Sequence, residues 1–121
     1  MVDVTVLVAT YNDDKYIGRC LRSLLNQTLP ASNYEILVIN DGSTDRTSYA
    51  LDLFNQPKDN HIRIITNKSN KGLPASLNIG IEASKSKYLV RVDSDDYVNQ
   101  NFLLVVPTEQ MHLHSRLNHL T

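Results

Sequence analysis

Four short apolar runs alternate with helix-like segments along this chain, and this alternation restricts the fold more than any other feature. The runs cover residues 4–9, 35–40, 62–66 and 88–92. Each has the length and the β-branched content of a buried strand. Strands that alternate with helices form a parallel sheet with right-handed crossovers. The sequence therefore predicts a Rossmann-like, three-layer α/β/α fold with a mainly parallel central sheet.

Apolar residues between these runs follow helical spacing. A first helix is expected over about residues 15–27, with Asp13 or Asp14 as its N-cap. A third helix should open at Leu73, because the proline that follows is favoured in a first turn. The second helix should end by Pro57, and its inward-facing residues are expected to be Tyr49, Ala50, Leu53 and Phe54.

An acidic loop, residues 93–96, follows the fourth run. It contains Asp93, Asp95 and Asp96, and ligands of open α/β sheets bind beyond the carboxyl ends of the strands. Three adjacent carboxylates repel one another unless a cation lies among them, and Mg²⁺ prefers such oxygen ligands. The pattern favours a metal held by Asp93 and Asp95, although such clusters also form solvated turns and helix caps.

Other polar residues follow the remaining strands, and parallel strand ends meet at one edge of a sheet. Tyr11, Asp41 and residues 67–72 are therefore expected to converge with the acidic loop. A nucleotide ligand would use all of them: a ring for stacking, a carboxylate for a base or ribose donor, and acids that hold a metal for the diphosphate. Taken singly, Tyr11 is as compatible with packing, and Asp41 with a turn or cap.

Composition excludes several classes. The 121 residues suit one domain, and the formal charge of −1, with Lys and Arg scattered, argues against a nucleic-acid or anionic-membrane surface. No stretch approaches the ~20 apolar residues that span a bilayer. The single cysteine, Cys20, excludes an internal disulfide. The single cysteine and the lack of a signal-peptide pattern at the N-terminus together predict a cytoplasmic protein.

The chain lacks two common phosphate-binding motifs, and this excludes further classes of enzyme. The first strand is not followed by a glycine-rich turn, and the chain has no Walker lysine motif, so a dinucleotide or P-loop enzyme is not expected. Three histidines near the end, His112, His114 and His119, match no familiar zinc spacing. Cys20 lies on an apolar helical stripe, which is typical of packing rather than of a nucleophile.

With these residues in place, the chain resembles the N-terminal part of an inverting, GT-A-fold glycosyltransferase of family 2. The resemblance covers about residues 3–106 and rests on four landmarks in order. They are Val-Ala-Thr-Tyr-Asn at 8–12, Ile-Asn-Asp-Gly-Ser-Thr-Asp at 39–45, Asn-Lys-Gly at 70–72 with Asn-Ile-Gly at 78–80, and Val-Asp-Ser-Asp-Asp at 92–96.

The resemblance implies a role for each matched residue. Tyr11 would stack on the nucleobase, usually uracil, with Thr10 nearby, and Asp41 would bond the edge of the base. Asp93 would lie near the ribose or the metal, and Asp95 would be the principal ligand of Mn²⁺ or Mg²⁺. The donor would be a nucleotide-diphospho-sugar, with UDP favoured, and the acceptor an unidentified glycan or lipid-linked hydroxyl.

Two departures qualify this expectation. Leu77 stands where many relatives have an arginine, and the chain ends at residue 121, before the family's catalytic base and acceptor-binding half. Among the available carboxylates, Asp13, Asp14 and Asp96, none matches the base position, so the catalytic base is unassigned. We expect a GT-A fold truncated after the metal motif: a nucleotide-sugar-binding domain over residues 1–107 and a tail over 108–121, either a loose helix or disordered.

Two alternatives stay open. A non-catalytic module could retain the fold, and the edge left by a missing half would allow a homodimer. A receiver-like signalling domain fits the length, but the third strand ends in Thr66-Asn67 with no aspartate to phosphorylate. A full-length protein of this kind could also be peripheral to a membrane.

Overall fold

The computed structural model describes residues 3–55, 61–105 and 112–113. Its elements in chain order are β1 (Val4–Thr10), α1 (Ile17–Leu25), a 3₁₀ turn (Ala31–Asn33), β2 (Tyr34–Asn40), α2 (Thr47–Asp52), β3 (Ile62–Thr66), α3 (Leu73–Ala83), β4 (Tyr88–Arg91), α4 (Phe102–Val105) and β5 (His112–Leu113).

The strands form one sheet in the order β3-β2-β1-β4-β5. The first four are parallel, and β5 runs antiparallel to β4, so the predicted mainly parallel sheet is confirmed. Thr10 pairs with Asn40, and Asn40 pairs with Thr66, so β1, β2 and β3 end level with one another. The last pair of β4 is Arg91 with Leu7, so the chain leaves β4 earlier than its neighbour β1.

Alternate residues of each strand face opposite layers, because successive side chains in a strand point to opposite faces. Val6 and Val8 of β1 pack in a cluster with α1 residues such as Leu21. Leu7 belongs to a second cluster, which contains Leu77 of α3. Helices on both faces bury the central strands on both sides, which explains why the strand runs are continuously apolar.

Two helix predictions were wrong in detail. The first helix begins at Ile17 rather than near residue 15, and its N-cap residue, Tyr16, makes no side-chain cap hydrogen bond. Neither Asp13 nor Asp14 caps this helix, because the Asp13 carboxylate bonds Ser94 and the Asp14 carboxylate accepts from the Arg46 backbone.

Tyr49 in α2 and Leu53 directly after it are 67% and 64% exposed instead of facing inward. The buried positions are Thr47 and Leu51, one turn apart. Ala50 packs partly against the core, as expected. A helix of six residues is too short for its apolar spacing to define one face.

The end of the chain is described only at residues 112–113, whose backbone pairs with β4. The predicted boundary at residue 107, and the remaining tail with His114 and His119, lie outside the described residues. Within the ranges 3–55, 61–105 and 112–113, no helix combines the length and apolar character needed to cross a membrane.

Candidate functional site

Asp41 is a buried, hydrogen-bonded acid at the carboxyl edge of the sheet. It directly follows β2, is only 4% exposed, and accepts three hydrogen bonds. Oδ1 accepts from Asn67 Nδ2 at 2.9 Å and from the Lys71 backbone N–H at 2.8 Å. Oδ2 accepts from the Gly72 backbone N–H at 3.0 Å. The carboxylate therefore fixes the segment that follows β3, a role that sequence reasoning missed.

These donors also control the charge of Asp41. Burial opposes ionisation, but hydrogen bonds from the Lys71 N–H, Asn67 and the Gly72 N–H outweigh it and lower the pKa of Asp41 below its usual value. Asp41 is consequently an anion held in a fixed position at neutral pH.

Gly42 permits this close packing. Its φ is +69°, and a Cβ at this position would lie 2.6 Å from the Asn70 backbone nitrogen. Only glycine adopts this conformation and leaves this space without strain. The Asp-Gly pair after β2 was the available signal, but it indicated only a turn.

A cavity of about 220 Å³ opens beside Asp41 and is lined by Thr10, Tyr11, Asn70 and Gly72, among others. Tyr11 is 47% exposed, so its ring is accessible rather than packed. The Thr10 hydroxyl is buried and has no hydrogen-bond partner among the described residues. The cavity thus offers an accessible ring and a fixed carboxylate, and Thr10 forms part of its wall.

The acidic loop lies after β4, the other neighbour of β1. Carboxylate oxygens of Asp93, Asp95 and Asp96 lie within 4.8 Å of one another, and all three residues are exposed. Arg91 Nη2 donates to Asp93 Oδ1 at 3.0 Å. An all-oxygen, all-anionic donor set fits a hard divalent cation such as Mn²⁺ or Mg²⁺.

A second cavity of about 450 Å³ is lined by Asp93, Asp96, Tyr97 and Phe102, among others. The structure therefore brings Thr10, Tyr11 and Asp41 together in one cavity and places Asp93 in another. Asp95 lines neither of these two cavities.

The thiol beside the acidic loop is unsuited to nucleophilic chemistry. Cys20 is fully buried, and burial, reinforced by carboxylates such as Asp96 and Asp13, raises its pKa to about 12. The thiolate, which is the nucleophile, is therefore scarce at neutral pH. This agrees with the packing role predicted for Cys20.

Both the sequence and the fold of this chain are similar to those of known glycosyltransferases. A family model described as Glycosyl transferase family 2 matches residues 5–106. An uncharacterized glycosyltransferase of Haemophilus influenzae is 42% identical over 105 residues, which make up 87% of this chain and 32% of that protein.

Two solved structures share the fold. Staphylococcus aureus TarS 1-349 in complex with UDP-GlcNAc matches with a TM-score of 0.78 and 31% identity, over 85% of this chain and 29% of that one. The mannosyltransferase PcManGT from Pyrobaculum calidifontis, in complex with GDP-Man and Mn²⁺, matches with a TM-score of 0.76 and 25% identity, over 84% of this chain and 30% of that one. The chain thus spans about a third of the length of these relatives.

Proposed function

Because this chain belongs to glycosyl transferase family 2, we propose that it is the donor-binding part of an inverting glycosyltransferase and holds a UDP-sugar together with a divalent cation. Its α/β fold is of the GT-A type, as predicted, and its relatives are glycosyltransferases. The acceptor in this proposal is a hydroxyl of a glycan or of a lipid-linked molecule.

The cavity beside Asp41 is the observation that carries the proposal. Tyr11 would stack on the base, since base–aromatic stacking contributes about 1–3 kcal/mol per base. Asp41 Oδ2 accepts from the Gly72 N–H, and a carboxylate oxygen has a second lone pair that would accept from an N–H on the edge of a uracil ring. Thr10, which lines the same cavity, would lie beside the base.

The cavity volume favours a small base. At about 220 Å³, it lies below the roughly 300–1,000 Å³ typical of whole-ligand sites, so it would take part of a ligand, such as one pyrimidine ring. The TarS complex contains UDP-GlcNAc, which supports a pyrimidine base. The PcManGT complex contains GDP-Man, whose base is a purine. Comparison of UDP with GDP is therefore part of the test.

Asp93 and Asp95 would hold the cation, with Asp96 as a third available carboxylate. When bound, Mn²⁺ or Mg²⁺ would stabilise the charge that develops on the departing diphosphate. Residue 77 offers no cationic contact to the diphosphate, because Leu77 packs in the core with Leu7.

Isothermal titration of UDP, with and without Mn²⁺, tests the proposal. UDP should bind more tightly with Mn²⁺, and Asp95→Asn should remove that gain without affecting binding in its absence. The matched control is Asp52→Asn, an exposed acid at the end of α2, which should behave like the unmodified chain. Absence of binding to both UDP and GDP would contradict donor binding, and UDP affinity that ignores Mn²⁺ would contradict the metal assignment.

A further inference from the structure

Ser94 links the acidic loop to a distant part of the chain. Its Oγ donates to Asp13 Oδ2 at 2.6 Å, across 81 residues of sequence. This distance is characteristic of a charge-assisted O–H···O⁻ bond, roughly twice as strong as a neutral one. Ser94 is only 9% exposed, whereas Asp93 and Asp95 on either side of it are exposed. Ser94, the second residue of the loop, is thus the one that fixes the loop to the protein interior.

Asp13 is itself held from two sides. Its backbone N–H donates to Thr47 Oγ1 at 2.9 Å, and its carbonyl accepts from the Ile17 N–H at 3.0 Å, where α1 begins. The carboxylate therefore projects from a fixed backbone. Because the Asp13 backbone is already fixed, little of its conformational entropy is lost when the bond to Ser94 forms. The bond can therefore order Ser94 more effectively than a bond to a mobile acceptor.

A second contact from α1 supports the same loop. Arg19 Nη2 donates to the Asp95 backbone carbonyl at 3.1 Å. The Arg19 guanidinium also stacks 4.4 Å from the Tyr97 ring centroid and 5.2 Å from that of Tyr16. The acidic loop is thus held through Ser94 and through the Asp95 backbone carbonyl. Its three carboxylates are exposed, and that of Asp93 also accepts from Arg91.

We propose that Asp13 is a positioning residue for the acidic loop, and that its bond to Ser94 keeps the loop carboxylates arranged for a divalent cation. This inference rests on the proposed function. Asp13 does not touch the cation; it acts through Ser94. Removal of a group that is hydrogen-bonded directly to a metal ligand costs about 10–100-fold in metal affinity. Asp13 bonds Ser94 and not a ligand, so we expect a loss at the lower end of this range.

The test measures Mn²⁺ affinity of the full chain by electron paramagnetic resonance in the presence of UDP. Asp13→Ala should weaken Mn²⁺ binding on the order of tenfold. Asp13→Asn should restore most of the affinity, because the amide oxygen still accepts from the Ser94 hydroxyl. The control is Asp14→Ala, which removes an equal charge from the next residue, whose carboxylate accepts from the Arg46 backbone instead; its Mn²⁺ affinity should be unchanged.

A double-mutant cycle then tests whether the two residues act through one bond. Ser94→Ala should weaken Mn²⁺ binding as much as Asp13→Ala, and the double variant should be no weaker than either single one. If Asp13→Ala fails to fold, as judged by circular dichroism, the test uses Ser94→Ala alone. Weaker Mn²⁺ binding by Ser94→Ala would then support the inference, and unchanged Mn²⁺ binding would contradict it. Uridine affinity should be unchanged in every variant, because uridine has no phosphate and its binding involves no metal.

Several results would overturn the inference. Wild-type Mn²⁺ affinity in Asp13→Ala would do so, as would additive losses in the double variant. Equal losses in Asp13→Asn and Asp13→Ala would assign the effect to charge instead of position. A parallel loss of uridine affinity would give Asp13 a general structural role. If the unmodified chain itself binds no Mn²⁺ with UDP, the failure lies with the proposed metal site.

Discussion

Asp41→Asn is expected to destabilise the fold, because this carboxylate accepts hydrogen bonds from three donors that an amide cannot all satisfy. An asparagine oxygen in the place of Oδ1 would keep the bonds from Asn67 and Lys71. The NH₂ group would then occupy the place of Oδ2 and face the Gly72 N–H, which is also a donor. One bond is lost and a donor is left opposite another donor.

The size of the effect follows from these contacts. A hydrogen bond to a charged group contributes about 1.5–3 kcal/mol, and the two retained bonds weaken because their acceptor becomes neutral. Together these changes should lower the free energy of unfolding by about 2–4 kcal/mol. Since domains are stable by only about 5–15 kcal/mol, this is a large fraction of the total.

Acid should reduce the difference between the two proteins. In the folded chain, burial opposes ionisation of Asp41, but the Lys71, Asn67 and Gly72 donors outweigh it, so the pKa is lowered. The unfolded chain then binds more protons than the folded one just below the ordinary pKa of about 3.9. The stability from this group is complete above that value and is lost as pH falls through the folded pKa. Asp41→Asn has no such group and should lose less stability in acid.

Urea unfolding followed by far-ultraviolet circular dichroism, at neutral and acid pH, measures both effects. Asp52→Asn is the matched control, because it removes an exposed carboxylate from the end of α2. If Asp41→Asn is as stable as the unmodified chain at neutral pH, the hydrogen bonds to the Asp41 carboxylate do not stabilise the fold as argued. A stability difference that stays constant into acid would refute the pKa argument.

Three further outcomes are expected. Gly42→Ala should lower the free energy of unfolding by about 1–3 kcal/mol in urea titrations. The reason is that φ is +69° and that a Cβ would lie 2.6 Å from the Asn70 backbone nitrogen. Unchanged stability would contradict this close approach. Burial and nearby carboxylates raise the pKa of Cys20 to about 12, so Ellman's reagent should label it only in unfolding urea, and rapid native labelling would show access to the thiol. Tyr11→Phe should retain UDP affinity and Tyr11→Ala should lose about 1–3 kcal/mol by calorimetry; equal losses would argue against stacking.

The central strands β1 and β2 could be predicted from sequence because they are buried on both faces and are therefore apolar along most of their length. Val6 and Leu7 face opposite layers, yet both are apolar. The six-residue helix α2 was predicted less well, since Leu53 continues the helical spacing but lies beyond the last helical residue, Asp52. Local spacing cannot specify where such a short helix ends.

The expected convergence of the loops was found only in part, because Tyr11 and Asp41 line one cavity and Asp93 lines another. Parallel strand ends meet at one edge, so Tyr11 and Asp41 were expected to be neighbours, and both line one cavity. The bonds of Asp41 to the Lys71 and Gly72 backbone, and of Asp13 to Ser94, join loops that are distant in sequence. No periodic pattern encodes such pairs, because they depend on how the loops pack after the sheet has formed.

The position of β1 explains why the loop after it makes so many of these bonds. In the order β3-β2-β1-β4, β1 lies between β2, which precedes Asp41 and its cavity, and β4, which precedes the acidic loop. Asn12, at φ +51°, accepts through Oδ1 from the Thr44 and Asp45 N–H groups after β2, while Asp13 binds Ser94 after β4. One loop therefore contacts both neighbours at the point where the strand order reverses, which is where open α/β sheets bind ligands. Because Tyr11 lies in the same loop, a donor spanning both places would be ordered at its base and at its diphosphate by one short segment.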